Sequence, residues 1–343
     1  MPLGIKEKRR PNKDFWKGRK VLITGHRGFI GSWLCGTLYS IGAKLYGADI
    51  NSSRLYRYFD FGDTNIVNIQ NSEKINWRVQ DAKPDVVFHL AAQPIVAKGE
   101  SNTLDTFLTN VTGTAMLLQA VEQFAPEAVF INMSTDKVYA PWSMPLSGYT
   151  EESPLGSDSP YACSKICAED VVDMYRQRGL NTVTIRAGNV FGGGDFGYGR
   201  LVPDVINSLN TYSVIRFRNA DGNRPYQYVL NVVYALLTIA EARYKRELLK
   251  PWYNVGVDKC ISNFALAQKL ADAYDMELLC QHEDSPYRET HSLALDCTAY
   301  NKEFGKLPFS LDYGVEETVQ VYKDMKNHGK RYTGKDLFME VWK

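Results

Sequence analysis

The sequence contains no apolar run long enough to cross a bilayer, and residues 1–20 are basic without the apolar core of a signal peptide. A cytoplasmic protein is expected. Charge of either sign is not in excess: 40 Lys and Arg stand against 39 Asp and Glu, a formal +1, so no overall field draws the chain to nucleic acid or to a membrane surface. An anionic ligand would need a local basic pocket. The six cysteines include no CxxC and the five histidines no HExxH or dense cluster, which argues against a disulfide framework, a zinc site or metal catalysis. Internal repeats and low-complexity segments are missing too.

What is present begins at Lys20. Lys20-Val-Leu-Ile-Thr24 is a short β-rich run and 29–41 has the apolar spacing of a helix, so Gly25, Gly28 and Gly31 fall on a strand-to-helix turn. At such a turn the first glycine permits the bend, the second lets backbone approach a pyrophosphate, and the third lets helix and strand pack closely, with the phosphates at the helix N-terminus. A second run, 44–49, ends in Asp49, where a carboxylate can accept hydrogen bonds from adenosine ribose hydroxyls. NAD is therefore favoured, with NADP the alternative because Arg27 lies inside the loop.

Residues 1–14 are charged, carry Pro11 and are expected to form a flexible tail. Beyond the glycine turn the patterning predicts a third strand at 65–69, a helix at 73–82, a fourth strand at 85–89 and a long helix at 103–124. Fifth and sixth strands follow at 128–133 and 182–186. This alternation predicts an α/β chain with a Rossmann-like doubly wound parallel sheet. At 343 residues there is room for an NAD-binding domain over 15–187 and a smaller, mainly substrate-binding lobe over 188–343. In that second part helices are expected near 202–209, 232–243 and 263–274.

The strand at 128–133 delivers Ser134-Thr-Asp-Lys137 to the sheet edge where open α/β sheets bind ligands. The connection 140–160, rich in Pro, Ser and Gly, is longer than most loops of compact domains and is expected to be functional. Pro160 then opens a helix on which Tyr161 and Lys165, four residues apart, share one face. A Tyr of pKa near ~10 is a poor base at neutral pH, but a nearby Lys cation and a positive nicotinamide ring both favour the phenolate. Such a pair, with Asn110 upstream, suits proton removal from a hydroxyl that is being oxidised.

Together with Asn189 in the glycine-dense loop to Asp195, these features resemble the extended short-chain dehydrogenase/reductase family over nearly everything after the tail. The narrower likeness is to the CDP-glucose branch of the sugar-nucleotide 4,6-dehydratases. It is carried by Gly25-His-Arg-Gly-Phe-Ile-Gly-Ser-Trp33, His89-Leu-Ala-Ala-Gln-Pro94, Ser134-Thr-Asp-Lys137, Arg186 to Asp195, Arg200-Leu-Val-Pro-Asp204, Arg224-Pro-Tyr-Gln227 and Glu289-Thr-His291. Lys137 stands where that class usually has Glu.

The resemblance implies a lyase using NAD and a nucleotide-diphosphate sugar. It places Gly25, Gly28, Phe29, Ile30, Gly31, Asp49, Asn68, Ile69, Leu90, Ala91, Ala92, Asn110, Tyr161 and Lys165 around the cofactor. Thr135 and Tyr161 would act at the sugar 4-hydroxyl, Asp136 as the acid for the departing 6-hydroxyl, and Lys137 at carbon 5 as base or as stabilising cation. Gln93, Asn189, Arg200, Leu201, Arg224, Gln227 and His291 are the expected substrate contacts, the arginines because they give forked hydrogen bonds to phosphate. A homodimer or dimer of dimers built on the helices at 103–124 and 161–178 is the family expectation. The rival readings are a sugar-nucleotide 4-epimerase or 4-dehydrogenase, which has no use for Asp136 and Lys137, and a non-catalytic dinucleotide sensor.

Overall fold

Consecutive apolar residues become the centre of a parallel sheet. In strand β1 (Lys20–Thr24), Val21 and Ile23 face the apolar cluster that holds Trp16 and Trp33, while Leu22 faces the one that holds Ile75, Val79 and Leu117. Burial on both faces is why this strand shows no alternation of apolar and polar residues. The computed structural model describes residues 9–50, 66–145, 147–157, 159–197, 199–247, 249–257, 259–283, 293–328 and 335–343. Around β1 assemble β2 (Lys44–Ala48), β3 (Val86–His89), β4 (Val129–Thr135), β5 (Thr182–Ala187) and β6 (Trp252–Val255). Every pairing in the order β6-β5-β4-β3-β1-β2 is parallel. The strand order reverses between β1 and β3, so the carboxyl ends of these strands open the crevice in which such sheets bind ligands.

Helices cover both faces. On one side pack α1 (Phe29–Tyr39) and, further along the chain, Val229–Tyr244; on the other pack α2 (Ser72–Ala82), α3 (Thr103–Phe107), α4 (Gly113–Phe124) and α5 (Pro160–Gln177). The long helix expected over 103–124 is present but not uniform: a π-turn, Leu108–Thr112, joins α3 to α4 and carries the buried Asn110. A π-turn widens the helix locally and often marks a functional site.

The strand expected at 65–69 is not formed within its described part. Asn68 Oδ1 accepts from Gln70 N at 2.9 Å and Asn68 O from Asn71 N at 3.0 Å, so the asparagine turns the chain instead of extending it. Val67 and Ile69 are buried all the same, Val67 N bonding Asp49 O at 3.0 Å. Nor did the patterning foresee β6, which comes from beyond residue 187 and adds the sixth strand beside β5.

The end of the expected tail is fixed to the fold. Asn12 accepts from Asp14 N and Phe15 N to cap the helical turn Lys13–Trp16, Asn12 N donates to Glu241, and Tyr234 donates to Arg9 O at 2.7 Å.

The later part of the chain contributes α6 (Leu201–Thr211), α7 (Val229–Tyr244) and α8 (Asn263–Tyr274), close to the three expected helices. Small strand pairs tie it together: Val190–Phe191 with Gln227–Tyr228, Asn223–Arg224 with Ile261–Ser262, and Ile215–Phe217 with Cys280–His282. Among the described residues no helix is long and apolar enough to cross a membrane.

Candidate active site

The glycine turn has the shape its chemistry requires. Gly25 has φ +70°, and a Cβ there would lie 2.7 Å from Ala91 N; a Cβ on Gly31 would lie 2.1 Å from Gly25 O. Backbone therefore meets backbone at both positions, and only glycine fits. Gly28 is the N-cap of α1, with no side chain capping it, and Phe29 and Ile30 form the first helical turn, so backbone N–H groups and the positive end of the helix dipole lie at the crevice. Asp49, at the end of β2, accepts from Arg27 N at 2.9 Å and so borders the same loop.

Leu90 and Ala91 close the opposite wall, hydrogen-bonded to Thr24 O at 3.1 Å and Thr24 Oγ1 at 3.2 Å, with Ala92 next in the chain. These features fit a dinucleotide: a close-packed glycine cradle, a helix N-terminus and a carboxylate at the neighbouring strand end. Asn68 sits one residue from Val67, which bonds Asp49, whereas Ile69 is buried against Gly113 as core.

Strand β4 ends at Thr135, which turns directly into the 3-10 turn Asp136–Val138. Facing it is α5, capped by Ser159 and opened by Pro160, which carries Tyr161 and Lys165 on its buried side. Thr135 lies near enough to the Tyr161 phenol to lower its proton affinity, while its hydroxyl donates to Asp136 Oδ1. Lys165 Nζ donates to Met133 O at 2.7 Å, and Asn110, from the π-turn, binds Ser164 Oγ at 2.9 Å and both backbone groups of Gln93.

Burial governs the proton affinities here. It pushes Tyr161 up to about 12, with the Asp136 charge adding to it and Thr135 and Arg200 opposing. Lys165 is pushed down to about 8 by burial, and Glu169 opposes that shift. Asp136 is raised from the usual carboxylate range by burial, against the pull of Lys137, Thr135 and Arg224. Its Oδ1 accepts from Thr135 Oγ1 at 3.2 Å, and its Oδ2 is buried with no hydrogen-bond partner among the described residues. Burial of this kind disfavours the charged form of the carboxyl. Lys137 follows, half-buried, on the same turn.

The expected substrate contacts separate into two groups. Arg200, at the N-cap of α6, is close enough to influence Tyr161 and binds the Asp195 carboxylate at 3.1 Å; Leu201 is the first residue of α6. Arg224 is buried and acts on Asp136. Asn189 reaches the same strand ends, its carbonyl accepting from Gln227 N at 2.8 Å.

The two glutamines brace the scaffold, Gln93 through both ends of its amide and Gln227 through Nε2 alone, its buried Oε1 having no hydrogen-bond partner among the described residues. Gln93 bonds Thr106 Oγ1 at 3.0 Å and both Ile95 N and Ile95 O, and Gln227 Nε2 bonds Val255 O of β6 at 2.8 Å. His291 lies outside the described residues.

The patterning missed a buried charged network behind this wall. Glu169, one turn beyond Lys165 on α5, receives Arg186 Nη2 at 2.7 Å and Nε at 3.0 Å, and also the Ser134 hydroxyl. Arg186 Nη1 reaches Tyr139 OH at 3.1 Å and Glu151 O at 3.0 Å, and Tyr139 donates to Asn254 of β6 at 2.6 Å. A signal existed: Arg186 ends an otherwise buried strand, and Glu169 extends the spacing of Tyr161 and Lys165 by one more turn. Burial pushes the Cys260 thiol up, with Arg224 opposing and Asp136 adding, and the thiol donates to Leu293 O at 3.3 Å.

Comparison with known proteins agrees with this geometry. The model of the "NAD dependent epimerase/dehydratase family" matches residues 21–256. A CDP-glucose 4,6-dehydratase of Salmonella typhimurium is 32% identical over 96% of this chain and 95% of its own length. Among solved structures, a UDP-glucose 4-epimerase of Thermus thermophilus in complex with NAD superposes with TM-score 0.79 at 25% identity, over 88% of this chain and 98% of that one. A dTDP-glucose 4,6-dehydratase of Streptomyces venezuelae shares the fold, with TM-score 0.79 at 22% identity over 90% of this chain and 98% of that one. Because that family model covers most of the chain and the Salmonella relative matches nearly end to end, the chain belongs to the NAD dependent epimerase/dehydratase family.

Proposed function

We propose that the protein is a sugar-nucleotide 4,6-dehydratase that converts CDP-glucose to CDP-4-keto-6-deoxyglucose. The observation that carries this reading is Asp136: a buried carboxyl disposed to stay protonated, directly after Thr135 and facing the Tyr161 helix. A 4-epimerase or 4-dehydrogenase needs Thr135, Tyr161 and Lys165 but no second acid. For the nucleotide, Lys137 in place of the usual Glu and the 32% identity to a CDP-glucose enzyme support cytidine.

NAD, when bound, supplies the acceptor that takes a hydride from sugar carbon 4 and gives it back at carbon 6. Gly25, Gly28 and Gly31 would hold its pyrophosphate and Asp49 its adenosine ribose. Tyr161, as phenolate, takes the proton of the 4-hydroxyl while Thr135 holds the same oxygen, and Lys165 stabilises the phenolate. The ketone at carbon 4 acidifies the carbon-5 proton, for which Lys137 is the candidate acceptor and from which carbon 5 would later recover it. Asp136 gives its proton to the 6-hydroxyl, which departs as water. Reprotonation at carbon 5 and hydride return at carbon 6 complete the turnover. Arg200 and Arg224 are suited to the diphosphate, Arg200 by exchanging Asp195 for phosphate.

Residues 15–187 would bind the cofactor, with α7 and β6 completing that domain, and the remaining later segments mainly the sugar nucleotide. Exposed Leu104, Leu108 and Met174, on α3, the π-turn and α5, support a dimer through those helices. A cytoplasmic location suits a nucleotide-sugar substrate.

Two measurements check this reading. Mass spectrometry of sugar nucleotides after incubation with enzyme and NAD should show loss of one water from CDP-glucose and far slower loss from dTDP-glucose; equal rates would remove the cytidine assignment. Calorimetry should show tighter binding of NAD than NADP, because the added phosphate would face Asp49, and Asp49→Ala should narrow the gap. Equal affinities in the unmutated protein would count against Asp49 as the ribose ligand.

A further inference from the structure

We propose that Glu169, clamped by Arg186 and Ser134, is a positioning residue that keeps Lys165, one turn away on α5, in its ammonium form. This rests on the reading of Tyr161 as the base. The active arrangement is phenolate with ammonium, and the surrounding field decides how far it is populated against the neutral phenol and amine.

Burial favours the neutral pair: it drives Tyr161 up to about 12 and Lys165 down to about 8. Something must therefore act the other way. Glu169 is one helical turn from Lys165 and two from Tyr161, so its negative charge stabilises the ammonium more than it penalises the phenolate. It is also 7% exposed, where such an interaction is weakly screened.

The other groups around Lys165 do not supply that charge. On α5 the neighbours are Tyr161 and, beside Glu169, Asp170. Strand β4 offers the Met133 carbonyl and the Ser134 hydroxyl, and β3 offers His89, which burial drives down to about 3 and so keeps neutral. From β5 comes Arg186, which binds the Glu169 carboxylate through Nε and Nη2 and is itself braced by Tyr139 and the Glu151 carbonyl. Asp136 and Arg200 act on Tyr161. The clamp thus fixes one carboxylate a turn below the lysine.

The test compares three variants in the holoenzyme with CDP-glucose as substrate. Glu169→Gln removes the charge. Glu169→Leu with Arg186→Met replaces the whole pair by apolar groups, so that the fold does not depend on an unpaired buried arginine. Glu169→Asp keeps the charge. The Lys165 cation exists below its pKa, so losing Glu169 should move the alkaline limb of the kcat profile to lower pH by about one unit, tenfold in activity on that limb. The pH at which NAD affinity falls, measured by calorimetry, should move the same way.

Glu169→Asp should restore most of both. If the apolar double variant folds and keeps the parental limb and NAD profile, or if Glu169→Asp is as shifted as Glu169→Gln, the pair is only structural and the inference is overturned. Normal turnover by Tyr161→Phe would instead overturn the reading of the base, whatever the Glu169 variants do.

Discussion

Tyr161→Phe is expected to slow formation of the 4-keto sugar by roughly the 10²–10⁴-fold that a positioned general base supplies. The substitution keeps the buried ring on α5 and removes only its hydroxyl. One buried polar group is removed without changing the ring, so the fold should persist. Sugar-nucleotide binding should persist too, since Arg200 and Arg224 are untouched. The measurement is kcat by quenched-flow mass spectrometry beside binding by calorimetry. Turnover near the parental rate with intact binding would take Tyr161 out of the mechanism.

Asp136→Asn is expected to separate the two halves of the reaction. The amide keeps the shape and cannot give up a proton, so oxidation at carbon 4 should proceed while loss of water slows by roughly 10²–10⁴-fold. A 4-keto sugar that retains its 6-hydroxyl, two hydrogens short of the substrate, should then accumulate on the enzyme.

Stability distinguishes this outcome from simple unfolding. A carboxyl whose pKa rises on folding binds its proton more tightly in the native state, so the fold loses stability as pH climbs from the unfolded value through the raised one. At neutral pH the amide relieves that penalty, and the variant should melt no lower than the parent. Dehydration at the parental rate would show that Asp136 is not the acid.

Much of this site could be read from the chain because its signals are local. The glycines at 25, 28 and 31 lie between an apolar run and a helical period, and the structure puts backbone against backbone at Gly25 and Gly31. Tyr161 and Lys165 needed only helical spacing and the proline before them. Parallel strands buried on both faces read as largely apolar runs, so β1, β3 and β4 were visible, and β5 showed as a β-branched run from Thr182 to Ile185.

What was not legible depended on distant partners. Val67 and Ile69 look like a strand, but Asn68 closes a turn that competes with the ladder. The four residues of β6 find their partner at β5, some seventy residues earlier, as the pairing Trp252 with Thr184 shows. Gln93 and Gln227 were expected at the substrate from the resemblance, and the sequence does not say that Thr106 and Ile95 engage the first and Val255 the Nε2 of the second. The Glu169–Arg186 pair is of the same kind, joining α5 to β5.

The most direct test uses CDP-glucose deuterated at carbon 4. With the enzyme and NAD in ordinary water, the product should lack one water and carry the deuterium at carbon 6, because the hydride taken from carbon 4 returns within the same active site. Recovery of a sugar of unchanged mass inverted at carbon 4 would make the protein an epimerase and contradict the dehydratase mechanism proposed for Asp136 and Lys137.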